Sequence, residues 1–195
     1  VLAAKLNRPA LLDPVRRNLN SMMYLVHPDG EVVTEISHRQ DRDQHGTMAR
    51  YWFPLQYMGV HDQNGQFATL AQQLAPVSAS LPAFMEYPEL VGSLPPGQAL
   101  PSDYLKEMNS LGVVRIRRGP TSATILEDNP NFFMIRRGAA VIQGIRFASS
   151  FFGKGQFAGT KIERDGNSFV LKQELAASYY QPLEPSQPVN AQNWM

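Results

Sequence analysis

The chain has 195 residues, of which 43% are apolar and 18% charged, with a net charge of +1 and no cysteine. That length suits one large domain or two small ones of roughly 100–150 residues, and the composition is that of a folded globular chain. The missing cysteine excludes disulfides, thiolate zinc sites and a cysteine nucleophile; the near-balanced charge excludes a general attraction to nucleic acid, and no run reaches the roughly 20 apolar residues of a membrane helix.

The sequence opens at Val1 rather than Met and passes almost at once into helical pattern, which leads us to expect a piece of something longer. "VLAAKL" is too short for a signal-peptide core. In "LLDPVRRNLNSMMYLVHPDG", Asp13 reads as an N-cap and Pro14 as the first helical residue. Leu12, Val15, Leu19, Met22, Met23 and Val26 recur at three- and four-residue spacing, giving the helix one core face. Pro28 and Gly30 then supply a turn. "EVVTEIS" is β-branched and reads as a brief extended segment, followed by the polar stretch "SHRQDRDQHG". From Met48 the pattern is helical, with Met48, Tyr51, Trp52, Leu55, Met58 and Gly59 on a common side. Pro54 either kinks this helix or marks its first turn. A third helix runs from about Asn64 to Pro76 on Phe67, Leu70, Ala71 and Leu74.

Prolines at 76, 82, 88, 95, 96 and 101 are too dense for a continuous helix or a central strand, so residues 76–101 read as a connector. Leu81, Phe84, Met85 and Tyr87 pack it across a surface. "PSDYLKEMNSLG" suggests one more short helix. After Gly112 the period changes: "VVRIR", "SATIL", "NFFMIRR", "AAVIQGIRFASSFF", "QFAGTKIE" and "SFVLKQEL" are strand-sized runs separated by Gly, Pro, Asn or Asp. The prediction is an α+β chain, helical over 1–111 and antiparallel β, as part of a sandwich, over 112–195, with a polar tail "QPLEPSQPVNAQNWM".

The polar stretch concentrates acid–base groups: His38, Arg39, Asp41, Arg42, Asp43 and His45. His38 and His45 are not spaced as two ligands on one helical face, and no third ligand accompanies them, so no metal site is predicted. Two readings stay open, a hydrated loop of Arg–Asp pairs or a substrate-facing loop in which His38 and His45, with Tyr51 downstream, supply acid, base and charge-neutralising groups. Trp52 and its aromatic neighbours either fill the core or stack on sugar rings. In the β half, Arg115 and Arg117 share a strand face opposite Val114 and Ile116, a face predicted to be wet or to bind an acidic polymer. "GKG" is no phosphate loop, and neither a G-x-S-x-G elbow nor a dinucleotide fingerprint occurs, so no cofactor is implied.

The order of parts, helices, then "HPDG" with Glu35 and Ser37 close behind, then a proline-rich crossing and "LGVVRIRRG" opening a β region, resembles the heparinase II/III-like polysaccharide lyases. The local likeness is to that family's D-G-x-x-x-E-x-S stretch. The resemblance implies the end of an α/α toroid joined to a β-sandwich, and β-elimination on an acidic polysaccharide. A tyrosine would exchange protons at C5 and at the leaving group, while histidine, asparagine or arginine neutralises the uronate. Carried onto this chain, His45, Tyr51 and His38 would be catalytic and Arg39, Trp52, Arg115 and Arg117 would bind substrate. It also implies a periplasmic or secreted setting and an upstream part of the same protein that holds further catalytic residues. The chain departs from the pattern in the long "HRQDRDQHGTMAR" before Tyr51, and all four histidines precede residue 62. The alternative from another class is a non-catalytic glycan-binding or scaffold protein that uses the polar loop and the arginine face.

Overall fold

Leu19 and Met22 come within a turn of one another on the apolar face of the first substantial helix, and both are buried. The computed structural model describes residues 2–42, 44–74, 81–88, 92–148 and 156–176. A single turn, α1 (Leu2–Lys5), and a 3₁₀ turn (Pro9–Leu12) run straight into α2 (Asp13–Met22). Asp13 is therefore not the N-cap that its place before Pro14 suggests. Leu12 holds that position in helical dihedrals, φ −79° and ψ −21°, and Asp13 Oδ1 accepts from Arg16 Nη1 at 2.7 Å instead.

The chain reverses at Gly30, whose φ of 89° is open to glycine at little cost, so that Val26 pairs with Val32. Only the start of "EVVTEIS" is extended; Thr34–Ile36 is a 3₁₀ turn. Another such turn, Ala49–Tyr51, leads into α3 (Trp52–His61), where Pro54 sits in the first turn and breaks no helical hydrogen bond. Helix α4 (Gly65–Gln73) is capped by Asn64, whose Oδ1 accepts from the amides of Gln66 and Phe67, both at 3.0 Å. Asn64→Ala leaves those amides without a partner and lowers stability by about 1 kcal/mol, read as a shift in the urea midpoint at unchanged slope. Gly59 lets α3 approach α4, since a Cβ there would come within 3.4 Å of the Ala68 amide nitrogen and 3.0 Å of Leu94. Among the described residues of the proline-rich crossing is a short helix, α5 (Leu81–Glu86).

Strands β1 (Asp103–Met108), β2 (Val113–Arg118), β3 (Thr121–Leu126), β4 (Phe133–Arg137) and β5 (Ala140–Ile145) form a five-stranded antiparallel meander in that order. The hairpin β6 (Lys161–Asp165) and β7 (Ser168–Lys172) is separate. "DYLKEM" is thus a strand, not the expected helix: each of its residues is in register with β2, from Asp103 opposite Arg118 to Met108 opposite Val113. Cross-strand packing overrides the helical preference of Leu, Lys, Glu and Met. The change from helix to strand accordingly falls at Asp103, ahead of Gly112. Gly112 itself has φ 61° and abuts Glu127, which a Cβ would meet at 2.9 Å. Pro76, the "GKG" turn and the polar tail lie outside the described residues. The chain is α+β, and one core joins its two kinds of structure: Met108, Val113 and Leu126 from the sheet pack with Leu19, Met22, Leu55, Met58 and Phe67 from the helices.

Candidate functional site

The polar stretch is tied down at its base. Val32 N donates to Gly46 O at 2.9 Å, Thr34 Oγ1 donates to Gln44 O at 2.7 Å, and Glu31 pairs with Thr47. The loop between these arms is held internally as Ser37 Oγ donates to Asp41 Oδ1 at 2.6 Å, and Arg42 reaches the buried Asn129 beyond β3. The result is a fixed wall rather than a free excursion. Between this wall and the start of α3 lies an open groove of about 430 Å³, lined on its polar side by Thr34, Asp41, Gln44, His45, Arg50 and Tyr51, and on its apolar side by Leu25, Val33 and Ile36.

Behind the groove stands a row of charges. His45 Nδ1 lies 3.2 Å from Glu31 Oε2, and the same carboxylate oxygen accepts from Arg136 of β4, whose Nη1 also donates to Asp29 Oδ2 at 2.8 Å. The Arg136 side chain is only 9% exposed, whereas His45 is 77% exposed, so the row runs from interior to solvent. The Arg136 hydrogen bond is the largest influence on Glu31 and holds its carboxyl below the usual glutamate range. Burial pushes Asp29 upward, but the Glu31 amide and Arg136 outweigh it and the net shift is down.

A second polar cluster is sealed between the first helical segment and the sheet. Glu35 is buried; its Oε1 accepts from Thr124 Oγ1 at 2.5 Å and lies 3.5 Å from His27 Nε2, while His27 Nδ1 is 2.9 Å from Ser122 Oγ. Arg115, fully buried, donates to Thr124 Oγ1, to Ala123 O at 3.2 Å and to Tyr24 O at 3.0 Å, the last shared with Tyr104 Oη at 3.3 Å. Burial raises the Glu35 carboxyl, but the nearby His27 imidazole and the hydrogen bond from Thr124 more than reverse this, leaving it below its ordinary value. Burial also lowers Arg115, which nevertheless stays a cation.

His45 and Tyr51 therefore meet in one groove. His38 and Arg39 are exposed on the same loop but are not among the groove's lining residues. Trp52 is a correction: it is 6% exposed and its ring lies 5.1 Å from that of Phe84, so it is core and not a sugar platform. Arg115 is a second correction, because the strand face it shares with Arg117 is covered by the Tyr24–Glu35 segment at its position. Alternation tells which residues share a face, not what lies over it. Arg117, further along, lines a separate cavity of about 500 Å³ with His27, Asp29 and Gln73. The sequence reading singled out neither Arg50 nor Glu31, and took Arg136 only as one of the arginines that make the β half basic. Arg50 is one residue from Tyr51 and local in signal; the Glu31–Arg136 pair is separated by 105 positions and has no local signal.

A pH dependence follows from these carboxylates. Asp29, Glu31, Glu35 and Asp62 all have folded values below the ordinary ones, Asp62 chiefly through its hydrogen bond from Arg16. A depressed carboxyl contributes stability that is complete above its unfolded value and is lost as pH falls through the folded value. Thermal midpoints should thus hold from neutrality down to the ordinary carboxylate range and fall steeply below it, and Glu35→Gln should make that fall shallower.

Among the described residues no group of three or more His, Asp and Glu side chains is placed to hold a metal ion, and no helix is long and apolar enough to cross a membrane. Comparison with family models, curated proteins and solved structures returned no match.

Proposed function

We propose that this chain is the part of a heparinase II/III-like polysaccharide lyase in which the last helices of an α/α toroid meet the first layer of a β-sandwich, and that the His45–Tyr51 groove receives an acidic glycan. The observation that carries the reading is the convergence of His45, Arg50 and Tyr51 on one open groove, with a carboxylate behind the imidazole. β-Elimination at a uronate needs three things: neutralisation of the carboxylate so that the C5 proton becomes acidic, a base for that proton, and an acid for the departing glycosidic oxygen. Arg50 supplies the positive group for the carboxylate, and His45 presents a ring nitrogen that takes the C5 proton. Tyr51 supplies a hydroxyl that gives its proton to the leaving oxygen and is reprotonated from the imidazolium or from solvent. The products are a new reducing end and a sugar with a carbon–carbon double bond conjugated to its carboxylate.

That conjugated bond absorbs in the ultraviolet, which gives the test. The protein, expressed as the full reading frame that carries residues 1–195, is incubated with alginate, hyaluronan, heparan sulfate, chondroitin sulfate and polygalacturonate, and absorbance is followed. A steady rise with one of them supports the lyase; no rise with any, accompanied by retention of one polymer on the immobilised protein, favours the non-catalytic glycan-binding alternative.

A further inference from the structure

We infer that Arg136 is a positioning residue that acts through Glu31 to fix which ring nitrogen of His45 faces the groove. The inference stands on geometry independent of the reaction class, although its consequence for turnover rests on the lyase reading. An exposed imidazole with no fixed partner exchanges its proton between nitrogens and rotates freely; a carboxylate held at Nδ1 selects the tautomer with the proton there and leaves the Nε2 lone pair outward. Here the selecting group is Glu31 Oε2, 3.2 Å from Nδ1. A surface carboxylate would hold the ring weakly, since exposed pairs contribute little. Glu31 is not such a group. Its side chain is 14% exposed, it is flanked by the pairing of its own backbone with Thr47, and its Oε2 is also bound by Arg136.

Arg136 is suited to this by its placement on a strand. It lies on β4, in register with Ser122 of β3 and Val141 of β5, and strands set side-chain positions more narrowly than a loop does. Its guanidinium takes Asp29 and Glu31 together from Nη1, so it also suppresses the repulsion between two carboxylates two residues apart. Without it, Glu31 turns away from Asp29 and toward solvent, and His45 loses its partner. The sheet thereby reaches the groove without lining it, because Arg136 is not among the groove's residues.

The test reads the ring directly. Long-range proton–nitrogen NMR spectra of the ¹⁵N-labelled protein at neutral pH, with His45 identified by its loss in His45→Gln, give the tautomer. The expected result is a protonated Nδ1 and a bare Nε2 in the native protein. In Arg136→Lys, which retains a cation but whose shorter side chain stops short of the position that Nη1 holds between Asp29 and Glu31, the signals should move toward the averaged pattern of a free imidazole. Arg136→Gln should go further. If Arg136→Gln fails to fold, Arg136→Lys and Glu31→Gln carry the test. Lyase turnover, where present, falls by about 10²-fold in Arg136→Lys. A native His45 with its proton on Nε2, or a pattern that is the same in native and Arg136→Lys proteins, overturns the inference. A fixed Nδ1–H tautomer in a protein that cuts no polysaccharide leaves the relay intact and removes the lyase reading instead.

Discussion

Arg115→Ala lowers the stability of the fold by about 3–5 kcal/mol, a large part of what a domain possesses. Arg115 is fully buried, and its guanidinium binds the Tyr24 carbonyl on one side and Thr124 and Ala123 on the other. Truncation leaves a cavity, leaves the Tyr24 carbonyl with Tyr104 Oη alone, and removes the cation 3.9 Å from the buried Glu35 carboxylate. The cost comes mainly from the charge left behind, so the double variant Arg115→Met with Glu35→Gln should recover part of the loss, and the two single changes should not add. Urea midpoints followed by circular dichroism measure all of these. If Arg115→Ala falls within about 0.5 kcal/mol of native, as a surface change would, the buried weld between helices and sheet is wrong.

On the proposed lyase reading, Tyr51→Phe should reduce turnover by about 10²–10⁴-fold while leaving the fold in place. The ring is retained at its half-buried position at the end of the 3₁₀ turn that leads into α3, so packing against the core persists; only the hydroxyl is lost. His45→Gln should produce a loss of similar size with little change in stability, because that side chain is largely exposed. His38→Gln and Arg39→Gln serve as internal comparisons from the same loop, and the groove's geometry predicts that each retains activity within a few-fold of native. Initial rates on the polymer identified by ultraviolet absorbance decide this, with thermal midpoints to confirm folding. Full activity in Tyr51→Phe would remove tyrosine from the proton transfers.

The contrast between what the sequence disclosed and what it concealed has a physical basis. Helices α2, α3 and α4 were legible because Leu19 and Met22, Leu55 and Met58, or Phe67, Leu70 and Ala71 repeat with the helix period. β2 to β4 were legible through strand alternation broken by turn residues. β1 was not, since "DYLKEM" carries helix-forming residues and becomes a strand only through its partner. The groove was half legible. His45 and Tyr51 are near in sequence and the loop between them is short, whereas the charges that brace His45 come from β4, a distance along the chain that no local pattern encodes. The burial of Arg115 was concealed for the same reason: the segment that covers it, Tyr24 to Glu35, lies about ninety residues away.

The most direct test of the groove as a glycan site is a backbone and side-chain NMR titration with a short unsulfated uronate oligosaccharide. Shift changes should concentrate at Thr34, Gln44, His45, Arg50 and Tyr51, with His61 and the β6–β7 hairpin unmoved. Saturation without movement at His45 and Tyr51, or movement centred on the cavity beside Arg117, would contradict this.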